Sequence, residues 1–403
     1  METVRIYPLR GLTTPERERL KAATMEAARV WMFCVEQHRA ARLAHQSWPG
    51  RKELQEATKG GQYGLHSQSI QMITHQFLAN VETIAKLRVT DKRHRYPYHP
   101  KTYLTVEWPA QAVSRSGNTV LLPMGRGRKS LTVHLNGLPK TMGAVSLVWN
   151  GGYELHIVVS TPDEALPPPP DPAAARATVD LGEIHLAAVT TTTGKGCIVT
   201  GRAIRSLKRQ QAMTQGEIQR KLSRCTKGSH RSRRLCYALE RAGGHVKRQV
   251  RDLRHKATRQ VIAFCQQEGV QTVYVGNPDG VRKKDAGRHH NQRMAHWEYG
   301  KDIDYLQHKS QQAHMTCFTG SERGTSSTCP ACGQRKKPRG RVFACGHCGF
   351  VGHRDIVGSM NMHPIAYGSR IGYPASLTYR RPGPARVRGR DEQPSLVARA
   401  GTS

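Results

Sequence analysis

The chain has 403 residues, 37% of them hydrophobic, enough for two or three cores and too many for a disordered polycation. Lys and Arg number 63 against 29 Asp and Glu, a formal charge of +34 that repels itself unless a polyanion neutralises it, so nucleic acid is the expected partner. No apolar run approaches the roughly 18 residues of a membrane span and Met1 to Leu12 has no signal-peptide core, which leads us to expect a cytoplasmic protein with no membrane partner.

In chain order, Thr3 to Tyr7 reads as a short strand. Thr14-Pro15-Glu16 then supplies a cap and a proline at the first helical position. Leu20, Ala27, Val30, Trp31, Cys34 and Val35 lie on one face of the helix that follows, and Ile70, Ile73, Phe77, Val81 and Ile84 give a second 3.6-residue stripe. From about residue 102 the period becomes two, predicting strands over 102–108, 118–122, 129–135, 144–149 and 153–159, with Asn150-Gly151-Gly152 as a hairpin turn. One strand before the helices and several after them suggest a β-barrel (1–12 and 98–162) with a helical insertion (13–97). Trp31, Tyr63, Tyr96, Tyr98 and Trp108 are of a type that stacks on bases, although core packing is the commoner role of each.

Pro167 to Pro170 and Pro172 mark a stiff linker over 163–174. Beyond it, 177–182, 185–191 and 197–200 read as three strands joined by tight turns, followed by two long basic helices, 203–224 and 231–267. Val270 to Gly276 is a β-branched run, 291–312 has helical composition, and 314–319 could be one more strand. Three strands, helices, strand, helix, strand, helix suits an RNase H-like α/β domain better than a doubly wound one, in which a helix would follow every strand. Residues 364–403 lack periodicity and read as a disordered basic tail.

Of ten cysteines, four form two C-x-x-C pairs, Cys329/Cys332 and Cys345/Cys348, separated by twelve residues. Two such knuckles give the tetrahedral four-thiolate set of a closed, structural zinc site, and the stretch between them reads as a zinc-ribbon hairpin over 325–349. Two carboxylates stand out beside it. Asp180 ends an apolar strand, and Asp355 follows the ribbon at the start of an expected helix. Nucleic-acid hydrolysis by two metal ions about 3.5–4 Å apart needs carboxylates converging from distant chain positions.

Val179-Asp180-Leu181-Gly182, Thr325-Ser-Ser-Thr-Cys329-Pro-Ala-Cys332-Gly, and Arg354-Asp355 with Asn361 resemble the blocks of the TnpB family, over residues 175 to 362. TnpB proteins are transposon-encoded RNA-guided nucleases related to miniature type V CRISPR effectors. The resemblance implies a multidomain α/β protein: an N-terminal wedge-like barrel with a helical recognition insertion, then a RuvC domain (175–324 and 350–363) carrying the zinc ribbon. It implies a guide RNA and double-stranded target DNA as partners, two Mg2+ and one structural Zn2+ as cofactors, and Asp180 and Asp355 as Mg2+ ligands.

The third ligand departs from the usual family pattern. A Glu is expected at the end of the Val270 to Gly276 strand, but the chain reads Val275-Gly276-Asn277-Pro278-Asp279-Gly280. A rearranged pattern, Glu-x-x-Thr-Ser-x-Thr-Cys, is matched at each fixed position by Glu322 to Cys329. Glu322 is therefore the expected third ligand; Asp279, or an incomplete site and a nuclease-inactive DNA-binding repressor, are the alternatives. Lys208, Arg209, Arg220, Lys221, Arg224, Lys227, Arg231, Arg233 and Arg234 cluster around the turn between the long helices. With Arg251 and Arg254 they are the expected nucleic-acid contacts.

Overall fold

A capping box starts the first helix. Thr13 accepts from the Glu16 backbone N–H and the Glu16 carboxylate accepts from that of Thr13, so the cap lies one residue earlier than the sequence suggested. The computed structural model describes residues 2–160, 171, 173–278, 285, 287–336, 338 and 340–383. The chain divides into two compact units, Met1–Glu164 and Ala165–Ser403.

The first unit contains β1 (Glu2–Pro8), α1 (Thr14–Leu43), α2 (Arg51–Ala57), α3 (Ser67–Thr90), β2 (Val106–Trp108), β3 (Ser114–Ser116), β4 (Thr119–Leu122), β5 (Leu131–His134), β6 (Val145–Trp149) and β7 (Tyr153–Ser160). The strands divide into two sheets, β1-β7-β6-β2 and β3-β4-β5. β1 pairs with β7 over its whole length, which closes the ends of this unit on each other, as the strand before the helices implied. Both helical stripes face one core, where Trp31 and Phe77 meet edge to face at 5.3 Å. Trp31, Tyr63 and Trp108 are buried there, so these three are core residues and not stacking platforms.

The second unit contains β8 (Ala175–Leu181), β9 (His185–Thr191), β10 (Lys195–Thr200), α4 (Arg202–Leu222), α5 (His230–Gln267), β11 (Val270–Asn277), α6 (Arg288–His296), α7 (Tyr299–Gln312), β12 (Thr316–Ser321), β13 (Val342–Ala344), β14 (Val351–His353), α8 (Arg354–Met360), α9 (His363–Tyr367) and β15 (Ser376–Arg380). Its main sheet has the order β12-β11-β8-β9-β10-β15. β8, β9 and β10 form an antiparallel meander, while β11 runs parallel to β8 and β12 parallel to β11. The C-terminal ends of β8, β11 and β12 therefore share one edge.

Two expectations need correction. The segment 291–312 is two helices, broken at the buried Trp297. The stretch from 364 is not a loose tail throughout: α9 follows α8, and β15 adds a parallel sixth strand to β10. Leu377 and Tyr379 pack against buried Ile198 and Ile356, which repays the ordering of a segment with no periodicity of its own. Residues 384–403, like most of the Pro-rich linker and Asp279, lie outside the described residues.

In α5, about 57 Å long at 1.5 Å per residue, nearly all the buried apolar side chains fall between Val250 and Cys265. Its first half packs against α4 instead, so the turn joining them stands away from the sheet core.

Candidate functional site

Strand register brings the carboxylates together. Val179 of β8 pairs with Val275 of β11, and Gly276 pairs with Gly320 of β12, so Asp180, Gly276 and Gly320 form a row across the sheet edge. Glu322 lies two residues beyond Gly320, on the same face by the strand period. Its carboxylate folds back over β11: a Cβ added at Gly276 would lie 2.6 Å from Glu322 Oε2. The missing side chain at 276 is thus the room that Glu322 uses, and a Glu there would compete for the same space.

The turn holding Glu322 explains the residues that follow it. The Thr325 hydroxyl and backbone N–H both donate to the Glu322 carbonyl, at 2.8 and 3.2 Å. Gly324 has φ of 86°, in the left-handed region that suits glycine, and its carbonyl accepts from the hydroxyls of Ser327 and Thr328. Asn361 Nδ2 donates to the carbonyls of Thr325 and Thr328, both at 2.7 Å, tying this turn to the end of α8. The motif residues Thr325, Thr328 and Asn361, with Ser327 at a variable position of the pattern, are therefore the frame that positions Glu322.

Asp355 arrives by another route. β13 and β14 form the ribbon hairpin, and β14 runs directly into α8, whose first turn carries Asp355. α8 lies on β8 and β9 through a buried hydroxyl network of Thr178, Thr190 and Ser359, including Ser359 Oγ to the Thr178 carbonyl at 2.8 Å. Gly358 faces Asp180, and a Cβ there would come within 2.8 Å of Asp180 Oδ2. Gly358, like Gly276, leaves space for a carboxylate.

The three carboxylates differ in their electrostatics. Burial foremost, then the negative charges of Glu322 and Asp355, push the Asp180 carboxyl well above the usual range. Burial pushes Glu322 up to about 7, and its Oε2 is a buried oxygen without a hydrogen-bond partner among the described residues. Asp355 differs. Burial would raise it, but His185 Nδ1 at 2.7 Å from Oδ2 and Arg341 Nη1 at 2.9 and 3.0 Å from its two oxygens hold it below the usual range. An unpartnered oxygen and converging carboxylates suit hard divalent cations such as Mg2+. Sequence reasoning missed His185 and Arg341, because neither lies in a motif and both reach Asp355 only through folding.

These shifts carry a sign. Glu322 has a raised folded pKa, so the stability it contributes is full below its unfolded value near 4.5 and is lost as pH rises through about 7. Glu322→Gln should therefore stabilise the Mg2+-free protein at pH 8, by on the order of 2 kcal/mol once its partial exposure is allowed for, and so raise its melting temperature there, with little effect at pH 5. Thermal melts at both pH values check this; an equal difference at each would contradict it.

The four ribbon cysteines meet as the spacing predicted. Cys329 and Cys348 sulfurs are 3.6 Å apart, as are those of Cys332 and Cys345, close to the separation of thiolates on one tetrahedral zinc. Backbone N–H groups, of Cys348 first and His347 next, pull Cys345 down to about 6, while burial pushes Cys329 up to about 12, so in the metal-free cluster Cys345 is the thiol closest to ionisation. The cluster can hold zinc with no open position.

The expected nucleic-acid residues separate into two groups. Arg209, Arg220, Lys221, Arg224, Lys227, Arg231, Arg233 and Arg234 are exposed around the α4–α5 turn, and Arg251 is half-buried. Arg254 is a correction: it is 1% exposed, 2.6 Å from Asp302, and donates to the Glu298 carbonyl. It pins α5 to α7 and offers phosphate nothing. Lys208 is also engaged, donating to the His296 carbonyl and paired with Glu298 at 3.3 Å.

Residues 156–282 match the OrfB_IS605 family, described as a probable transposase, and residues 299–362 match the Cas12f1-like TNB domain. A TnpB-like protein of Methanocaldococcus jannaschii is 26% identical over 150 residues, 36% of this chain, and the chain spans about half, 51%, of that relative's length. Among solved structures, a Cas12f1-sgRNA-target DNA complex matches with a TM-score of 0.60 at 10% identity, covering 87% of this chain and 83% of that one. The mini-RNA-guided endonuclease CRISPR-Cas_phi3 matches with a TM-score of 0.52 at 11% identity over 93% and 94%. At such identities the likeness is one of fold. Among the described residues no helix is long and apolar enough to cross a membrane. The two family matches follow one another along the part of the chain that carries Asp180, Glu322 and Asp355, and with the TnpB-like relative they make TnpB-like proteins what this chain resembles.

Proposed function

We propose that this protein is a transposon-encoded, RNA-guided DNA endonuclease whose RuvC site is completed by Glu322. The observation that carries the reading is the seat of the Glu322 carboxylate against Gly276, where the family's usual glutamate would stand. That seat also favours a working nuclease over a repressor with a lapsed site, the reading that Gly276 and Asn277 would otherwise suggest. A compact type V CRISPR effector would use the same chemistry with a separately encoded RNA.

The strand order, an antiparallel meander extended by two parallel strands, supports the RNase H-like reading of the second unit. The two sheets and three helices of the first unit are read as the wedge-like and recognition parts. Asp180, Glu322 and Asp355 would hold two Mg2+, which when bound supply an activated water and neutralise the leaving 3′ oxygen. His185 fixes the rotamer of Asp355. Thr325 and Asn361 fix the turn of Glu322, and no protein nucleophile is needed. Guide RNA and its target duplex would neutralise the exposed cations of the α4–α5 turn through backbone contacts, in the cytoplasm at the nucleoid.

Sequencing the RNA that copurifies with the protein tests the guided part: one dominant RNA, mapping to the end of the encoding element, is expected, and an RNA-free or random preparation would contradict it. The α4–α5 turn has its own test. RNA binding should weaken steeply with salt, and replacing Arg231, Arg233 and Arg234 together should flatten the slope of log K against log salt by about 2–3. An unchanged slope would locate the RNA elsewhere.

A further inference from the structure

Asp355 belongs to a second donor set besides the carboxylates. His185, His353 and Asp355 each offer one ligand atom, and these atoms all lie within 4.8 Å of one another. His185 opens β9 just beyond the turn that follows Asp180, and His353 ends β14 just before Asp355, so two separate chain segments deliver the imidazoles. Their ring centroids are 5.1 Å apart. Orienting Asp355 would take only one of them, and His185 already does so at 2.7 Å. Among the described residues His353 Nδ1 is engaged only by the Asp355 backbone N–H, at 3.3 Å, and its lone pair is the second nitrogen donor of the set.

A cation already stands at this cluster. The guanidinium of Arg341, from the ribbon segment ahead of β13, contacts both oxygens of Asp355 at 2.9 and 3.0 Å. Two imidazoles and a carboxylate are a donor set of a different character from Asp180 and Glu322, because nitrogen ligands favour first-row transition metals over Mg2+, which keeps to oxygen.

We propose that His185, His353 and Asp355 form a nitrogen-containing site for a transition-metal dication, which Arg341 of the ribbon fills until the metal displaces it. The inference rests on reading Asp355 as a metal ligand and does not require the nuclease activity. The site shares Asp355 with the proposed Mg2+ centre, so a transition metal, when present, takes the place of the Mg2+ next to Asp355 and is bound partly through nitrogen, while the other ion stays oxygen-bound. Entry of the transition metal is coupled to release of the ribbon's arginine.

Mn2+ is the probe, added alone to the full-length, zinc-loaded protein, with stoichiometry from equilibrium dialysis and ligand type from pulsed electron paramagnetic resonance. Two bound Mn2+ are expected, one with nitrogen couplings, and excess Mg2+ should displace only the ion without them. His185→Asn with His353→Asn should remove those couplings and weaken that ion on the order of tenfold or more. Arg341→Gln should tighten it severalfold, because the competing cation is gone. If the double variant fails to fold, the wild-type couplings and the Arg341→Gln shift still decide. Bound Mn2+ with oxygen couplings only, or an Arg341→Gln affinity equal to wild type, would overturn the inference and leave the carboxylate site standing. No bound Mn2+ at all would overturn both.

Discussion

Glu322→Ala should abolish Mg2+-dependent cleavage of a guide-matched duplex, and adding Gly276→Glu should restore part of it. The single loss removes one ligand of a site whose members act as a unit, so a fall of about a thousandfold or more is expected, with DNA binding kept. The rescue follows from geometry. A Cβ at 276 points to within 2.6 Å of the present Glu322 Oε2, which truncation removes, while the Cβ at 322, 3.1 Å away, stays in Glu322→Ala and must give by a few tenths of an ångström. Met362 Sδ, 2.7 Å from the same Cβ position, is the end of a flexible side chain and must shift, which is why the rescue should be partial. In the wild-type background Gly276→Glu should instead impair cleavage, because two carboxylates would then claim one seat. Full activity in Glu322→Ala, with loss in Asp279→Asn, would move the third ligand to the segment after β11.

The second large effect concerns the ribbon. Cys345→Ser should release about one equivalent of zinc, since structural zinc binding in small sites is worth about 10–16 kcal/mol and is coupled to folding. Cleavage should be lost with it, although the zinc takes no part in chemistry. β14 leads straight into α8 and Asp355, and Asn361 braces the turn that holds Glu322, so collapse of the hairpin moves two of the three carboxylates. RNA binding through the α4–α5 turn should survive. Metal analysis, melting temperature and RNA binding check this together; full zinc content in the variant would contradict the assignment of the four cysteines as zinc ligands.

What was legible in the sequence was local. The spacing of Cys329, Cys332, Cys345 and Cys348 fixes a tetrahedral site without knowledge of the fold, and apolar runs between tight turns, with the β-branched run of Val270 to Gly276, located β8 to β11 because these strands are buried over most of their length. Glu322 was found through the Thr-Ser-x-Thr-Cys frame, whose reason is the local turn of Thr325 and Gly324. What escaped depends on partners far away in sequence. β15 looks like coil because its order comes from pairing with β10, 181 positions earlier in register, as between Ser376 and Lys195. Arg254 looked like one more surface cation on a basic helix, and only Asp302 on another helix makes it a buried pair. His185 and Arg341 reach Asp355 from 170 and 14 residues away, and no periodicity records such a meeting.

In the proposed function an RNA-directed, metal-dependent cut is made at the site of Asp180, Glu322 and Asp355. It is tested most directly by loading the protein with its copurified RNA and following a matched duplex in Mg2+, across a library of flanking sequences, for wild type and Asp180→Asn with binding measured in parallel. Wild type should cleave beside one short flanking motif and not without Mg2+, and Asp180→Asn should not cleave despite equal binding. Wild-type protein that binds the matched duplex at that motif but never cuts it, with Mg2+ or Mn2+, would contradict the nuclease and leave a guided repressor in its place.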